Sequence, residues 1–404
     1  MNPVLGRVFK AFQYREFRLL WFGSCTSSIG TWMQILAQSW LVFNISGSAF
    51  LLGLDNFLAQ LPIVLFSLIG GVIADRIDRR RVLLGSQYVQ MTSSFVLTLL
   101  IFFKLIHVWH ILALSFVVGC AQAFGGPAYS ALVPMLVEKE DLPNAIALNS
   151  IQFNLARVIG PVLGGLALTQ LGAAWCFALN GISFIAVIIS LLLLTIHFVP
   201  QNTGESILTG VRQGLAFVRN QGAMVGLIGL AFFMTALAMP MIAFLPVFAK
   251  TVLHSGPGAY SILLSCSGLG SVLGALVVAA LGNIQKKGLT ALLMLLLLGG
   301  GIVAFALSRS TVLSCVLLLI SGAALMAVFS MISTLVQLIT ANEMRGRVMS
   351  VYNMAFRGGM PLGSLTTGWL MPIFSAPSVM AVNGLLLLVL GAYFLLVQRR
   401  VAAL

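Results

Sequence analysis

Three ionisable side chains lie inside the long apolar runs of this 404-residue chain: Asp55, Arg157 and Arg357. A charge in such surroundings costs at least about 2.5–3.5 kcal/mol, so each needs a partner or a polar cavity. Asp55 sits near one end of its run, with Asn56 and Gln60 close by. A carboxyl there can load and release a proton, and the structural alternative is that it reaches the polar boundary at that end. Arg157 and Arg357 lie about 10–13 residues from the opposite ends of their runs, hence roughly 15–20 Å deep at 1.5 Å per residue. Two guanidinium forks at matched depth suit an anionic or catecholate-like ligand; pairing with helix-end carbonyls or with an acid is the structural alternative.

No other constellation competes with these three. Cys25, Cys120, Cys176, Cys266 and Cys315 all fall in apolar segments without CxxC or Cys/His spacing. His107, His110, His197 and His254 share no metal-ligand spacing. There is no HExxH and no acid pair within an apolar run, so convergent catalytic groups are missing. We expect no metal, no cofactor and no enzymatic activity.

The elements that must position these residues follow from composition. The chain is 60% hydrophobic and 8% charged, with a mean hydropathy of +1.07, far from the roughly 25% charge of a soluble domain. Apolar runs near residues 17–43, 50–74, 82–103, 108–132, 144–170 and 173–198 are followed by others near 223–249, 258–281, 288–307, 311–337, 347–372 and 377–397. Each is long enough to cross a hydrocarbon core of about 30 Å as a helix. The expected fold is an all-α membrane protein of twelve transmembrane helices. The basic start, MNPVLGRVFKAFQYREF, leads into the first run without a clear cleavage site, so that run is expected to be retained.

A net charge of +13 would suggest nucleic acid in a soluble protein. Here its placement means topology instead: 17 of the 22 Lys and Arg fall on one side of the twelve-run arrangement. The positive-inside rule then puts both termini in the cytoplasm, with the bilayer as partner and no nucleic acid. The longest polar interruption, residues 200–222, divides the chain into residues 1–199 and 223–404. Within it Ile207, Leu208, Val211, Leu215 and Val218 recur at helical spacing opposite Arg212 and Arg219. That pattern fits a short helix on the cytoplasmic interface. Arg157 and Pro161 recur as Arg357 and Pro361 at a spacing of 200 residues, so the two sets of six runs read as pseudo-symmetric bundles.

Two stretches carry a resemblance. The turn GGVIADRIDRRR, residues 70–81, joins the second and third runs. Its basic residues fix topology, but topology does not require its acids; Asp75 is well placed to face the positive N-terminus of a neighbouring helix. Gly71, Asp75, Arg76, Arg80 and Arg81 match the G-x-x-x-D-[RK]-x-G-x-[RK]-[RK] loop motif, and the chain resembles the major facilitator superfamily. Asp78 stands where the motif has its second glycine, and Asp tolerates a left-handed backbone better than most residues. The fifth run, NAIALNSIQFNLARVIGPVLGG, ends in Gly160, Pro161, Gly164 and Gly165. Its small residues let helices approach closely, and Pro161 removes an amide donor and bends the helix. The GPxxGG ending looks like the exporter motif of that superfamily, and the wider string with RGRVMSVYNMAFRG resembles its enterobactin-exporter branch.

That resemblance implies alternating access between two six-helix bundles in a bacterial inner membrane, acting as a monomer. It also implies a cytoplasmic gate at Gly71, Asp75, Arg76, Arg79 and Arg80, and proton-coupled export of a siderophore-like, drug-like or other amphipathic or anionic small molecule. Lipid flipping or nutrient uptake by the same fold remains open. Cavity-lining spans of the superfamily point to Trp32, Gln34, Gln38 and Gln122 as wall residues, with hydrogen bonding between helices as their structural alternative. The fourth run carries Ser115 and Gln122 but no Arg, which leaves Asp55 as the expected proton carrier.

Overall fold

The computed structural model describes residues 9–195, 207–282 and 285–404; the side chains of residues 68, 72, 74–76, 207–211 and 281 lie outside the described set. The described residues contain no β-strand. The long helices are α1 (Arg15–Ser46), α2 (Ala49–Arg76), α3 (Arg79–Phe102), α4 (Val108–Leu132), α5 (Leu142–Gln170) and α6 (Ala173–Leu193). They continue as α7 (Ile207–Asn220), α8 (Gly222–Ala243), α9 (Pro257–Leu281), α10 (Lys287–Leu307), α11 (Thr311–Ile339), α12 (Arg345–Phe374) and α13 (Ala376–Leu396).

Nine stretches among the described residues are long and apolar enough to cross a membrane. The apolar runs on α1, α3 and α12 fall short of that measure for a physical reason. Each has polar side chains spread along it: Ser24, Ser27, Ser28 and Thr31 on α1, Ser86, Gln87, Gln90, Ser93 and Ser94 on α3, and Arg345, Arg347 and Arg357 on α12. Several of these, including Ser86, Gln90, Ser93 and Ser94, are buried against other helices. Polarity turned inward lowers mean hydropathy without exposing a polar face to lipid.

The chain forms two compact units. The first comprises Met1–Leu41 with Leu61–Gly204, the second Val42–Gln60 with Glu205–Leu404. Residues 42–60 pack with the second unit although they belong to the first two apolar runs. Within the first unit α3 packs on α4 and α6; within the second α10 packs on α11 and α13. The same partners therefore recur in each unit.

Glycines set the closest approaches. A methyl at Gly160 of α5 would collide with Cβ of Trp32 on α1, and one at Gly164 would lie 3.0 Å from Cα of Met33. Gly359 and Gly363 of α12 meet α8 in the same way, at Thr235 and Ala236. Without a hydrophobic drive between helices in lipid, such contacts supply dispersion in place of solvent exclusion. Within the expected linker, residues Ile207–Asn220 form the helix α7. Among its described side chains Gly214 and Val218 are buried, and a methyl at Gly214 would come 2.6 Å from the Arg347 carbonyl of α12.

Candidate functional site

A cavity of ≈ 290 Å³ lies inside the first unit. From α1 it takes Ser24, Ser27, Ser28, Thr31 and Trp32; from α3, Leu83, Gln87 and Gln90; from α4, Gln122, Gly125, Gly126 and Tyr129. Asn149, Gln152 and Phe153 of α5 and Phe184 and Val187 of α6 complete the wall. Leu83, Phe184 and Val187 also belong to the buried cluster of Phe17, Leu20, Leu132 and Leu148, so one side of the cavity rests on packed core. Aromatic rings alternate with amide and hydroxyl groups elsewhere, and Trp32 meets Phe153 edge-on at 6.2 Å between centroids.

Most of the polar wall is satisfied from within. Gln122 Nε2 donates to Gln90 Oε1 at 2.8 Å, and Gln90 Nε2 donates to Ser86 Oγ at 3.1 Å. Ser86 Oγ in turn donates to the Ala121 carbonyl at 2.8 Å. This short reach depends on Gly125, where a methyl would strike Ser86 Oγ. On the facing side Tyr129 OH donates to Asn149 Oδ1 at 3.1 Å, and Gln152 Nε2 donates to Ser28 Oγ at 2.7 Å. Gln87 is the exception: its Oε1 is buried and has no hydrogen-bond partner.

Of the expected wall residues, Trp32 and Gln122 line the cavity. Gln34 and Gln38 do not. Gln34 Oε1 accepts from Ser94 Oγ and from Asn180 Nδ2, both at 2.7 Å, and Gln38 Nε2 donates to Ser115 Oγ at 2.9 Å. Both glutamines tie helices together. Gln87, Gln90, Tyr129, Asn149 and Gln152 went unrecognised in the sequence. The signal available for α3 was the spacing of Ser86, Gln87, Gln90, Ser93 and Ser94, which puts polar groups on adjacent faces of one helix.

The three charges take separate positions. Arg157 holds its guanidinium carbon 5.8 Å from the Trp32 ring centroid, a cation–π contact, and is not among the residues lining the cavity. Arg357 is exposed on α12 and forms no ion pair with any described residue. Asp55 belongs to the second unit and is buried, at 4% exposure, while neighbouring Asn56 donates to the Leu52 carbonyl at 3.0 Å.

The charged turn does work that its motif did not show. Arg79 Nη1 donates to the Ala131 carbonyl at the end of α4 at 3.1 Å, and Arg80 Nη2 donates to the Leu192 carbonyl at the end of α6 at 2.7 Å. Guanidinium groups on helix C-termini satisfy orphan carbonyls and oppose the negative end of the dipole. Asp78 corrects the expectation of a left-handed turn: its φ is −53°, and its Oδ1 accepts from Arg80 N at 3.0 Å as the N-cap of α3. An extended N-cap replaces the left-handed glycine. No described atom lies within 4 Å of where a Cβ at Gly71 would sit. The Asp75 and Arg76 side chains lie outside the described residues. α5 runs unbroken through Pro161, with Gly165 buried and its carbonyl accepting from Thr169 Oγ1 at 2.7 Å.

One polar cluster has no counterpart in the sequence reading. Asp141, just before α5, is buried and gathers three donors: Lys10 Nζ at 2.7 Å, Gln13 Nε2 at 2.9 Å and Tyr14 OH at 2.9 Å. The Ala11 amide donates to Asn144 Oδ1 at 2.8 Å. The Lys10 hydrogen bond holds the Asp141 carboxyl below its usual range against the opposing effect of burial, and Asp141 raises the Lys10 ammonium in return. The short 3₁₀ turn Lys10–Gln13 is thereby fastened to the start of α5.

The comparison with known families now has a structure to stand on. A family model described as transmembrane secretion effector matches residues 7–403. The chain belongs to this family. The family lies within the major facilitator superfamily, and this secretion effector resembles its enterobactin-exporter branch. It is 24% identical to macrolide efflux protein A of Streptococcus pyogenes over 67% of this chain and 68% of that one. It is 27% identical to the enterobactin exporter EntS of Shigella boydii serotype 4 over 98% of this chain and 92% of that one. In fold it matches a POT family transporter with a TM-score of 0.77 at 12% identity, covering 96% of each chain. The secretion effector is a multi-pass membrane protein, and the proteins it resembles are membrane transporters.

Proposed function

We propose that this secretion effector is a secondary transporter that exports a small amphipathic organic molecule from the cytoplasm by alternating access between two six-helix bundles. The observation that carries the reading is the cavity of the first unit, whose wall interleaves aromatic rings with amide and hydroxyl groups. Such a lining suits a ligand with both an apolar body and polar substituents. The relatives named for macrolide efflux and enterobactin export support outward transport.

On this reading α1, α3 and α12 cross the membrane together with the nine more apolar stretches, giving twelve spans. Both termini face the cytoplasm of a bacterial inner membrane, and the chain acts as a monomer without a cofactor. The proton gradient drives export, with Asp55 carrying the proton and Asp75 and Arg76 latching the cytoplasmic side. Arg157 and Arg357 serve substrate binding or gating from positions off the cavity wall.

Expression in a bacterial host stripped of its own efflux pumps tests the reading. Tolerance to a panel of macrolides and aromatic amphiphiles should rise severalfold over an empty vector, with lower cell-associated drug. Unchanged tolerance and unchanged drug content across the panel would count against export.

A further inference from the structure

We propose that the cavity of the first unit selects an uncharged aromatic molecule bearing a free O–H or N–H, and that Gln87 Oε1 accepts that hydrogen. This proposal rests on the export reading and names the substrate chemistry of the same site. It parts from the expectation of an anionic ligand on three observations.

The first is charge. Among the described residues, no Asp, Glu, Lys, Arg or His lines the cavity. An ionised ligand drawn from water into such a wall would lose its hydration with no counter-ion to replace it. Arg157 is a natural partner for an anion, yet its guanidinium engages the Trp32 ring and is not among the lining residues.

The second is hydrogen-bonding capacity. Gln90, Gln122 and Gln152 each donate their amide N–H to another wall group or to a neighbouring serine, and Tyr129 donates its hydroxyl to Asn149. Gln87 lines the cavity one turn before Gln90 on α3, and its Oε1 is tucked away without a donor, so a turn about its side-chain torsions presents it to a ligand. A buried acceptor without a donor is an unmet cost, so a ligand that brings one gains the full value of the bond. The third is shape: Trp32, Phe153 and Phe184 offer ring faces and edges around ≈ 290 Å³, room for a molecule of one or two rings.

Three probes of matched size, none with an N–H, test this with the full chain in lipid nanodiscs: 4-hydroxybenzophenone, its 4-methoxy ether, and the 4-carboxylate. By calorimetry the phenol should bind about tenfold more tightly than the ether, the ratio expected of one buried hydrogen bond. The carboxylate should bind more weakly than either. Gln87→Met, close in volume, should bring the phenol-to-ether ratio to about one, while Gln87→Glu, which keeps an acceptor oxygen, should retain a preference for the phenol. A carboxylate that binds as well as the phenol overturns the proposal. So does a phenol-to-ether ratio unchanged in Gln87→Met, or failure of every probe to bind the wild type. The export reading fails separately: if wild-type protein moves nothing across a membrane while the Gln87-dependent ratio holds, the binding assignment stands without it. Active transport with an unchanged ratio removes the Gln87 assignment alone.

Discussion

Arg80, at the beginning of α3, donates from Nη2 to the carbonyl oxygen of Leu192, at the end of α6, across 2.7 Å. Arg79 does the same for Ala131 at the end of α4. Two adjacent arginines thus cap two helices that both pack against the helix they begin. The charged turn is a clasp for the first unit as well as a topological signal.

Arg80→Ala should therefore lower stability by about 1 kcal/mol, the size of an exposed charge-assisted cap. Arg81→Ala should change it little, because Arg81 makes only a 3.7 Å contact to Asp78 and is exposed. Thermal unfolding in detergent of the two variants beside the wild type checks the contrast. Equal loss in both would show that net positive charge, not the clasp, matters.

Gly160→Val should disturb the approach of α5 to α1 by about 1–3 kcal/mol, since the added carbons collide with Trp32 Cβ. Because Trp32 lines the cavity, the variant should lose ligand binding along with stability. Gly71→Ala is the control within the other motif: no described atom comes within 4 Å of its Cβ position, so melting should stay near wild type. A melting temperature for Gly160→Val equal to that of the control would remove the close-packing argument.

The cluster at Asp141 has a defined pH window. Its carboxyl is held below the ordinary 3.8, so its contribution is complete above that value and disappears as pH falls through the lowered one. Lys10 is raised above the ordinary 10.5, so its share is complete below that value and disappears as pH rises through the raised one. Between those limits the turn Lys10–Gln13 should stay fastened, and hydrogen exchange of the Ala11 amide should report it. Asp141→Asn should speed that exchange at neutral pH. Exchange as slow as in the wild type would show the ion pair to be dispensable.

Asp55→Asn should abolish acceleration of export by an imposed pH gradient while leaving probe binding in the first unit intact, because Asp55 belongs to the second unit. Export rates measured with and without the gradient decide it. Gradient-dependent export by the variant at the wild-type rate would exclude Asp55 as the proton carrier.

Much of the fold was legible from apolar runs and their spacing, because a helix that must satisfy its own backbone in lipid announces itself by length and hydropathy. α1, α3 and α12 are the less apolar runs: on α1 and α3 polar side chains turn inward to the cavity, whereas on α12 three arginines lower the hydropathy. The site was less legible. Trp32 and Gln122 could be placed by family geometry, whereas Gln34 and Gln38 carry the same residue type and make interhelical bonds instead. Which face of a helix a glutamine occupies depends on packing by glycines such as Gly125 and Gly160, and one sequence does not reveal that. Asp141 gives no signal in the sequence, since its partners Lys10, Gln13 and Tyr14 lie about 130 residues away and only tertiary contact assembles them.

Accumulation of 4-hydroxybenzophenone in inverted membrane vesicles, whose interior corresponds to the outside of the cell, tests export most directly. Energised vesicles carrying the secretion effector should accumulate the probe several times above control vesicles and release it when a protonophore collapses the gradient. Accumulation confined to right-side-out vesicles, or none in either orientation, would contradict export.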